Sequence, residues 1–458
     1  MATHPMNPVD AAWYHLDGPA NPAVVNALIT TERPLAFKRV RKVLEQRLLR
    51  FDRFRQRVVE PKLGLGTPHW EDAEDLDIDA HVHHLAVPRP GDDAAVRALV
   101  ADMASMPLPS GQPLWQAYVL DGVGRGGALL MRYHHCIGDG LAMMTVASAL
   151  FDRTARAAGP LSTSGAPVPE SAWPAPSLLQ TAFDVARRPK QLLDAAALLT
   201  QGGQALVKDL LKPRDSISPF KGDFAAPQRV AWSAPIALET LKAVAWPFNA
   251  KVNDVLVAAL AGALRSYLER RGIAGRHDTL RAMVPVNLRP AERANALGNE
   301  FGLVILELPV SERDPLQRVA RSKERMDALK RSPEAVAMEW LFNLFGRGPK
   351  PVEDLAQTLF GGKASLVLTN VAGPQRKLYL AGAAVDSMVF WVPHPGDELG
   401  MGLSLMSYRG QVRLGVIADA RLVPDPEAIT AAFEAEVRHL TSLHARAVAR
   451  RTAMRRRA

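Results

Sequence analysis

Two adjacent histidines, His134 and His135, end an apolar segment, and a glycine–aspartate–glycine sequence follows at residues 138–140. Residues 128–133 predict a buried strand, and residues 141–151 predict a helix after the glycines. A histidine at the junction of a strand and a loop can face a cavity while the sheet holds it in place. An imidazole so placed can accept a proton from a substrate hydroxyl, so this segment predicts a general base.

The strand geometry separates the two imidazoles. Neighbouring residues on a strand point to opposite faces, so only one of His134 and His135 can face a given cavity. Cys136 would lie opposite His135, which argues against a cysteine–histidine nucleophilic pair and favours a small buried side chain. A metal site made of His134, His135 and Asp139 is the alternative, but the imidazoles diverge and no further ligands follow at suitable spacing. We therefore expect no metal.

Length and composition indicate two domains and a soluble globular chain. The 458 residues exceed what one hydrophobic core of ordinary size holds. The formal charge of +9 fits either an arginine-rich solvated surface or attraction to anions, such as lipid headgroups or a phosphorylated substrate. Aromatic residues make up only 6%, with no stacking motif among the basic ones, so nucleic acid is not an expected partner.

The sequence predicts a cytoplasmic protein. No apolar run approaches the roughly 18 residues that span a bilayer. The N-terminus lacks a basic segment followed by an apolar one, so we expect no secretory signal. Cys136 is the single cysteine, which excludes an intramolecular disulfide and suits a reducing compartment.

A proline- and serine-rich stretch divides the chain into two blocks. We expect an N-terminal domain at residues 1–158, a proline-rich and helical linker at residues 159–219, and a C-terminal domain with a basic tail at residues 220–458. Predicted helices and strands alternate in both blocks. One of the predicted strands covers residues 51–59 without interruption. The fold class is therefore α/β or α+β, with mixed sheets flanked by helices.

Residues 134–140 match the pattern HHxxxDG, and the chain resembles the wax ester synthase/diacylglycerol acyltransferase family of the chloramphenicol-acetyltransferase-like superfamily. Five further segments resemble family signatures in their order along the chain: PLW at residues 113–115, ND at 253–254, VPVNLR at 284–289, LGN at 297–299 and TNVAGP at 369–374. The opening segment NPVDA, at residues 7–11, is a looser match.

The resemblance implies two chloramphenicol-acetyltransferase-like domains with a tunnel between them. It implies an acyl-CoA-dependent O-acyltransferase that esterifies diacylglycerol, long-chain alcohols or both. His135 would be the general base on the acceptor hydroxyl, which attacks the thioester directly, and acyl-CoA would be a substrate, with no cofactor. Alternatives are a condensation-type transferase that uses carrier-protein thioesters, and an inactive binding protein on the same scaffold.

The resemblance also implies supporting roles around His135. Asp139 would pair with an arginine and fix the loop, with Arg55 as the first choice and Arg289 as the second. His134 and Gly140 would be secondary members of the same motif.

For residues in the other matching segments, more than one role is possible. Asn253 and Asn370 are candidates for oxyanion or substrate binding, although both could be turn or cap residues, and Asp254 could cap a helix. Trp115 is expected to anchor the core. Four methionines are expected in the core rather than along a tunnel, namely Met143, Met144, Met401 and Met406.

Hydrophobic acceptors and products would place the enzyme at a surface. We expect peripheral association with the inner face of the membrane or with lipid droplets. The basic tail and the predicted helical segment at residues 177–211 are the candidate docking elements.

Overall fold

The computed structural model describes residues 3–156 apart from 19–20 and 62–65, residues 215–332 apart from 216–217, 223, 225–226, 274–279, 291–292 and 294–295, residue 338, and residues 362–455 apart from 395–398. The predicted linker at residues 159–219 and the predicted helix at residues 177–211 therefore lie almost entirely outside the described residues. Side chains of the basic tail lie outside them as well.

Helices and strands alternate along most of the described chain. The helices are α1 (Pro8–His15), α2 (Phe37–Arg47), α3 (Asp93–Ala104), α4 (Gly140–Leu150), α5 (Leu238–Ala245), α6 (Val252–Arg270), α7 (Pro315–Arg331) and α8 (Pro426–Arg455). The strands are β1 (Thr3–Pro5), β2 (Val24–Thr31), β3 (Gln56–Val59), β4 (His69–Asp72), β5 (Val82–Ala86), β6 (Trp115–Val123), β7 (Gly126–His134), β8 (Gln228–Trp232), β9 (Ile236–Ala237), β10 (Leu280–Asn287), β11 (Phe301–Leu308), β12 (Leu366–Ala372), β13 (Tyr379–Leu380), β14 (Ala383–Trp391), β15 (Met401–Tyr408) and β16 (Gln411–Asp419).

The N-terminal sheet has six strands in the order β13-β14-β2-β7-β6-β5, of which β2, β5, β6 and β7 come from the N-terminal half of the chain. Strand β7 lies inside this sheet and pairs antiparallel with β2 and β6. Hydrogen bonds on both edges hold its backbone, which makes its C-terminal end a rigid platform.

The C-terminal half builds a seven-stranded mixed sheet in the order β11-β10-β12-β15-β16-β8, with β9 beside β16. Helices α6, α7 and α8 pack on one another and against this sheet. The apolar side chains of α6 are buried along nearly its whole length, because the helix lies between the sheet and α8.

The predicted two-domain boundary does not separate the two sheets. Strands β13 and β14 come from the C-terminal half of the chain, yet β14 pairs with β2 in the N-terminal sheet. In addition, β14 packs against β15 and β16 of the other sheet. The fold class is confirmed as mixed α/β with two sheet-rich domains, and the predicted tunnel between them stays a prediction.

The strand predicted at residues 51–59 begins only at Gln56. The residues before it form short helical turns, and Phe51 and Phe54 are both buried in the core. Two aromatic rings three residues apart point the same way in a tight turn, whereas on a strand they would point to opposite faces. Burial of both rings therefore selects the turn.

Among the described residues, no helix combines the length and the apolar composition needed to span a bilayer.

Candidate active site

The turn that carries His135 follows directly after β7. Alternate residues Leu129, Met131 and Tyr133 of this strand line an apolar cavity, and His135 begins the turn just beyond them. The strand ends at His134, residues His135–Ile137 form a single 3₁₀ turn, and the His135 backbone N–H donates to the Ala23 carbonyl at 2.8 Å. The sheet thus fixes the backbone position of His135.

His134 stabilises the turn that follows β7. Its ring is buried, and Nδ1 accepts a hydrogen bond from the Cys136 backbone N–H at 3.1 Å, so it caps the turn. Burial lowers the pKa of His134 to about 3, which keeps the ring neutral and leaves the remaining proton on Nε2. His134 therefore shapes the turn and does not face the cavity.

His135 keeps part of its surface exposed. Its ring stacks on Trp13, with centroids 3.8 Å apart and an interplanar angle of 10°, and Phe301 lies 6.2 Å away. Nδ1 is buried and has no hydrogen-bond partner among the described residues. Burial lowers the pKa of His135 to about 4, so the ring is neutral at pH 7.

Asp139 uses both of its carboxylate oxygens to hold the turn. Oδ1 accepts from the backbone N–H groups of Leu141 and Ala142 at 3.0 and 2.9 Å, which caps α4. Oδ2 accepts from the Arg289 guanidinium at 2.8 Å and from the Glu300 N–H at 3.1 Å. The carboxylate thus joins the start of α4 to the C-terminal half.

The prediction that Arg55 pairs with Asp139 is wrong. Arg55 donates instead to Asp52 and to the Leu49 carbonyl, each at 2.6 Å, because it lies at the end of a tight turn with its side chain directed outward. Arg289, the second choice, is the partner, and its buried guanidinium also donates to the Gly298 carbonyl at 2.8 Å.

A loop from the C-terminal half packs directly on the His135 turn. Gly298 forms a parallel bridge with Gly138, and the Asp139 N–H donates to its carbonyl at 3.3 Å. Gly298 has φ of +96°, and an added Cβ would come within 3.2 Å of Asn7, so glycine is required there. The next residue, Asn299, donates from its amide to the His135 carbonyl at 2.8 Å.

Gly140 allows α4 to approach β12. A Cβ at this position would lie 2.9 Å from Cγ2 of Val371, a contact too short for an unaltered packing. Its place in the motif is thus explained by close packing at the first residue of α4.

The three residues considered for oxyanion binding lie together at the start of α6. Asn370 donates to the side-chain oxygen of Asn253 at 2.6 Å, and both side chains are exposed. Asp254 is buried and accepts from the Lys251 N–H at 2.7 Å, so it caps α6. Val371 faces the cavity, so its neighbour Asn370 lies on the opposite face of β12. These contacts give capping and bridging roles to the three side chains.

The apolar cavity has a volume of about 120 Å³ and lies between α4 and the six-stranded sheet. Its walls include Met143, Met144 and Ala147 of α4, with Val371 and Met406 from the seven-stranded sheet. Of the four methionines expected in the core, Met401 and Met406 are buried there, and Met143, Met144 and Met406 also line the cavity. The predicted burial of Trp115 is confirmed.

Within the described part of the chain, no group of three histidine, cysteine, aspartate or glutamate side chains is arranged to hold a metal ion.

Sequence reasoning missed four side chains that contact the His135 turn or its partners, namely Asp10, Trp13, Arg53 and Asn299. Two of them lie inside segments that the pattern had marked, NPVDA and LGN, which gave a signal without a role. Trp13 and Arg53 had no signal, because a stacked ring and a buried guanidinium depend on the assembled fold.

The two mixed sheets, with the histidine turn where they meet, form the fold of condensation domains. A wax ester synthase/diacylglycerol acyltransferase from Marinobacter aquaeolei VT8 has a similar fold, with a TM-score of 0.69, 23% identity, and coverage of 96% of this chain and 99% of that one. The first condensation domain of the calcium-dependent antibiotic synthetase is also similar, with a TM-score of 0.62, 16% identity, and coverage of 97% and 96%.

Family models match most of the chain. The wax ester synthase/diacylglycerol acyltransferase catalytic domain matches residues 6–256, and the C-terminal domain of the same family matches residues 297–441. The chain therefore belongs to the wax ester synthase/diacylglycerol acyltransferase family, and it is an acyltransferase.

Curated relatives agree with this assignment. A Mycobacterium tuberculosis protein named "Probable diacyglycerol O-acyltransferase tgs1" is 28% identical over 415 residues, which cover 88% of each chain. A second protein from that organism, "Putative diacyglycerol O-acyltransferase Rv1760", is 26% identical over 464 residues, covering 94% of this chain and 89% of its own.

Proposed function

We propose that the protein transfers a long acyl group from acyl-CoA to the hydroxyl of diacylglycerol or of a long-chain alcohol, with His135 as the general base. The observation that carries this proposal is a neutral, partly exposed imidazole in the turn that follows a strand lining an apolar cavity. The products would be triacylglycerol or wax esters, together with free coenzyme A.

The reaction needs one proton acceptor and no covalent enzyme intermediate. Nε2 of His135 takes the hydroxyl proton as the acceptor oxygen attacks the thioester carbonyl carbon. The carbon–sulfur bond of the resulting tetrahedral species then breaks, and the thiolate of coenzyme A leaves and recovers the proton from the imidazolium. Because both oxygens of Asp139 are already bonded, this carboxylate holds the turn and takes no part in proton transfer.

The apolar lining of the cavity supports an acyl substrate. Its walls are almost entirely apolar, and each buried methylene contributes about 0.8 kcal/mol to binding. Flexible methionines such as Met143 and Met144 can adapt to a chain of variable conformation. A thioester is already activated toward acyl transfer, so acyl-CoA would serve as a substrate and the reaction would require no cofactor.

The proposed acceptors also support a location at a lipid surface. Diacylglycerol and long-chain alcohols partition into membranes and lipid droplets, and the formal charge of +9 favours contact with anionic headgroups. We propose peripheral association with the inner face of the membrane or with lipid droplets.

The test compares two histidines that each stack on a tryptophan. His135→Ala is expected to lower kcat about 100- to 10,000-fold with palmitoyl-CoA and either hexadecanol or diacylglycerol. His81 stacks on Trp115 at 4.6 Å, so His81→Ala is the matched control and should retain most of the activity. Full activity of folded His135→Ala would exclude the proposed base. A preference for carrier-protein thioesters over acyl-CoA would favour the condensation-type alternative.

A further inference from the structure

One face of the short helix α1 points at the His135 turn. Asp10 and Trp13 are three residues apart, so they lie on the same side of α1. We propose that α1 is the positioning element of the general base, with Asp10 holding the backbone of the turn and Trp13 holding the imidazole ring. This inference rests on the proposed role of His135.

Asp10 reaches the carbonyl of His135 through one intermediate residue. Its Oδ1 accepts from both the backbone N–H and the side-chain amide of Asn299, at 2.9 and 2.7 Å. The same amide nitrogen of Asn299 donates to the His135 carbonyl at 2.8 Å. The carboxylate therefore orients the amide so that its N–H groups face both Asp10 and the turn.

Asp10 reaches the carbonyl of Cys136 by a second route. Its Oδ2 accepts from the Arg53 guanidinium at 2.8 Å, and Arg53 also donates to the Cys136 carbonyl at 3.3 Å. The guanidinium lies 4.1 Å above the ring of Trp70, which fixes its plane. Two consecutive carbonyls of the turn are thus bonded to donors that share one carboxylate.

The whole arrangement is enclosed in protein. Asp10 is fully buried, and Arg53 and Asn299 are almost so. In such surroundings, removing one partner of a charged pair leaves the other uncompensated. The donors are therefore held in one geometry, and the turn has little freedom to move relative to α1.

Trp13 acts on the ring itself. Its indole is 5% exposed and covers one face of the His135 imidazole nearly in parallel. This contact blocks rotation of the imidazole toward α1 and keeps water from that face. The backbone and the ring of the base are consequently fixed by two side chains of the same helix.

The experiment measures kcat and KM separately for Asp10→Asn, Asn299→Ala and Trp13→Ala, with palmitoyl-CoA and hexadecanol. Because displacement of a catalytic group by about 1 Å costs up to about 100-fold, each variant is expected to lower kcat about 10- to 100-fold while KM for acyl-CoA stays within about threefold. Trp13→Ala should also move the acidic limb of the kcat/KM profile to higher pH, since the ring gains contact with water.

A matched control separates positioning from stability. Glu436 pairs with the buried guanidinium of Arg318 at 2.5 Å in the C-terminal half, so Glu436→Gln removes a comparable ion pair. It should lower the melting temperature as Asp10→Asn does, yet leave kcat unchanged. The positioning role is overturned if Glu436→Gln lowers kcat as much as Asp10→Asn does. It is also overturned if Asp10→Asn, Asn299→Ala and Trp13→Ala all keep the wild-type kcat while His135→Ala is inactive, and in that case the proposed base stands. Activity in His135→Ala would overturn both.

Discussion

The protonation state of His135 decides the pH range in which the enzyme can work. A folded-state pKa of about 4 keeps the imidazole neutral far below pH 7, whereas an unperturbed histidine would be half protonated near pH ~6.5. We expect kcat/KM to stay flat from about pH 8 to about pH 6 and to fall only as the pH approaches the folded-state pKa. A titration of initial rates in mixed buffers measures this profile.

The pH dependence of activity reports on His135 only over the pH range in which the protein stays folded. His134, His135 and His394 all have a folded-state pKa of about 3 to about 4, because they are buried. In the unfolded chain these groups bind protons first as the pH falls through ~6.5, so stability is lost between that value and the folded-state pKa. Circular dichroism at each pH identifies the folded range, and a half-loss of activity near pH 6.5 in folded enzyme would contradict the expected profile.

The partner of Asp139 gives a second test at single residues. Arg289→Met removes a buried guanidinium that contacts Asp139 and the Gly298 carbonyl, and we expect kcat to fall at least about tenfold because the turn loses its attachment to the C-terminal half. Arg55→Met is the matched control, since its partners Asp52 and the Leu49 carbonyl lie outside the turn. Equal losses in the two variants would argue against the assignment.

Some of these site residues could be predicted from the sequence, and others could not, for a physical reason. His135 and Asp139 lie four residues apart, so local pattern was enough to propose their roles. Arg289 lies 150 residues from Asp139, and only the assembled sheets determine which arginine reaches the carboxylate. The nearer candidate, Arg55, is diverted by the tight turn that buries Phe51 and Phe54.

Helix α4 determines how much room the apolar cavity offers. Ala147 lines the cavity, whereas Thr145 on the same helix does not. We expect Ala147→Phe to lower kcat/KM for palmitoyl-CoA at least about tenfold while activity with butyryl-CoA is largely kept, because the added ring displaces several buried methylenes. Thr145→Phe serves as the control for a ring added to α4. Equal losses with both acyl lengths would show that the chain does not enter this cavity.

At the scale of elements, most helices and strands could be predicted from periodicity. The strand before His135 and the helix after it were both found, with β7 ending at His134 and α4 running from Gly140. The error at residues 51–55 arose because the mixed apolar and polar sequence of this short segment is compatible with a strand as well as with a tight turn. Only the surrounding core distinguishes them.

The molecule as a whole is held together by strand β14. Trp391 at its end is fully buried in the N-terminal sheet, and its indole N–H donates to the Ala231 carbonyl of β8 in the C-terminal sheet at 3.1 Å. Its ring also meets Trp232, with centroids 5.7 Å apart. One side chain therefore joins the two sheets, and the halves are expected to unfold together.

Substitution of this tryptophan tests that expectation. Trp391→Ala should cost about 3–5 kcal/mol of stability and separate the one thermal transition expected of the wild type into two, because the sheets lose a shared anchor. Trp246 is 85% exposed, so Trp246→Ala is the matched control and should leave the melting temperature unchanged. Calorimetry of both variants decides the point, and a single unshifted transition in Trp391→Ala would show that the indole is not the link.

The position of β14 late in the chain affects how the protein folds during synthesis. Strand β2 becomes an interior strand only when residues 383–391 pair with it, and these lie near the end of the chain. Until a ribosome has released them, the apolar β2 is an open edge with unpaired backbone groups, the kind of surface on which chains associate. Nascent chains that stop short of this strand are therefore the ones expected to aggregate in the cell, even though every residue of the HHxxxDG motif has already been made.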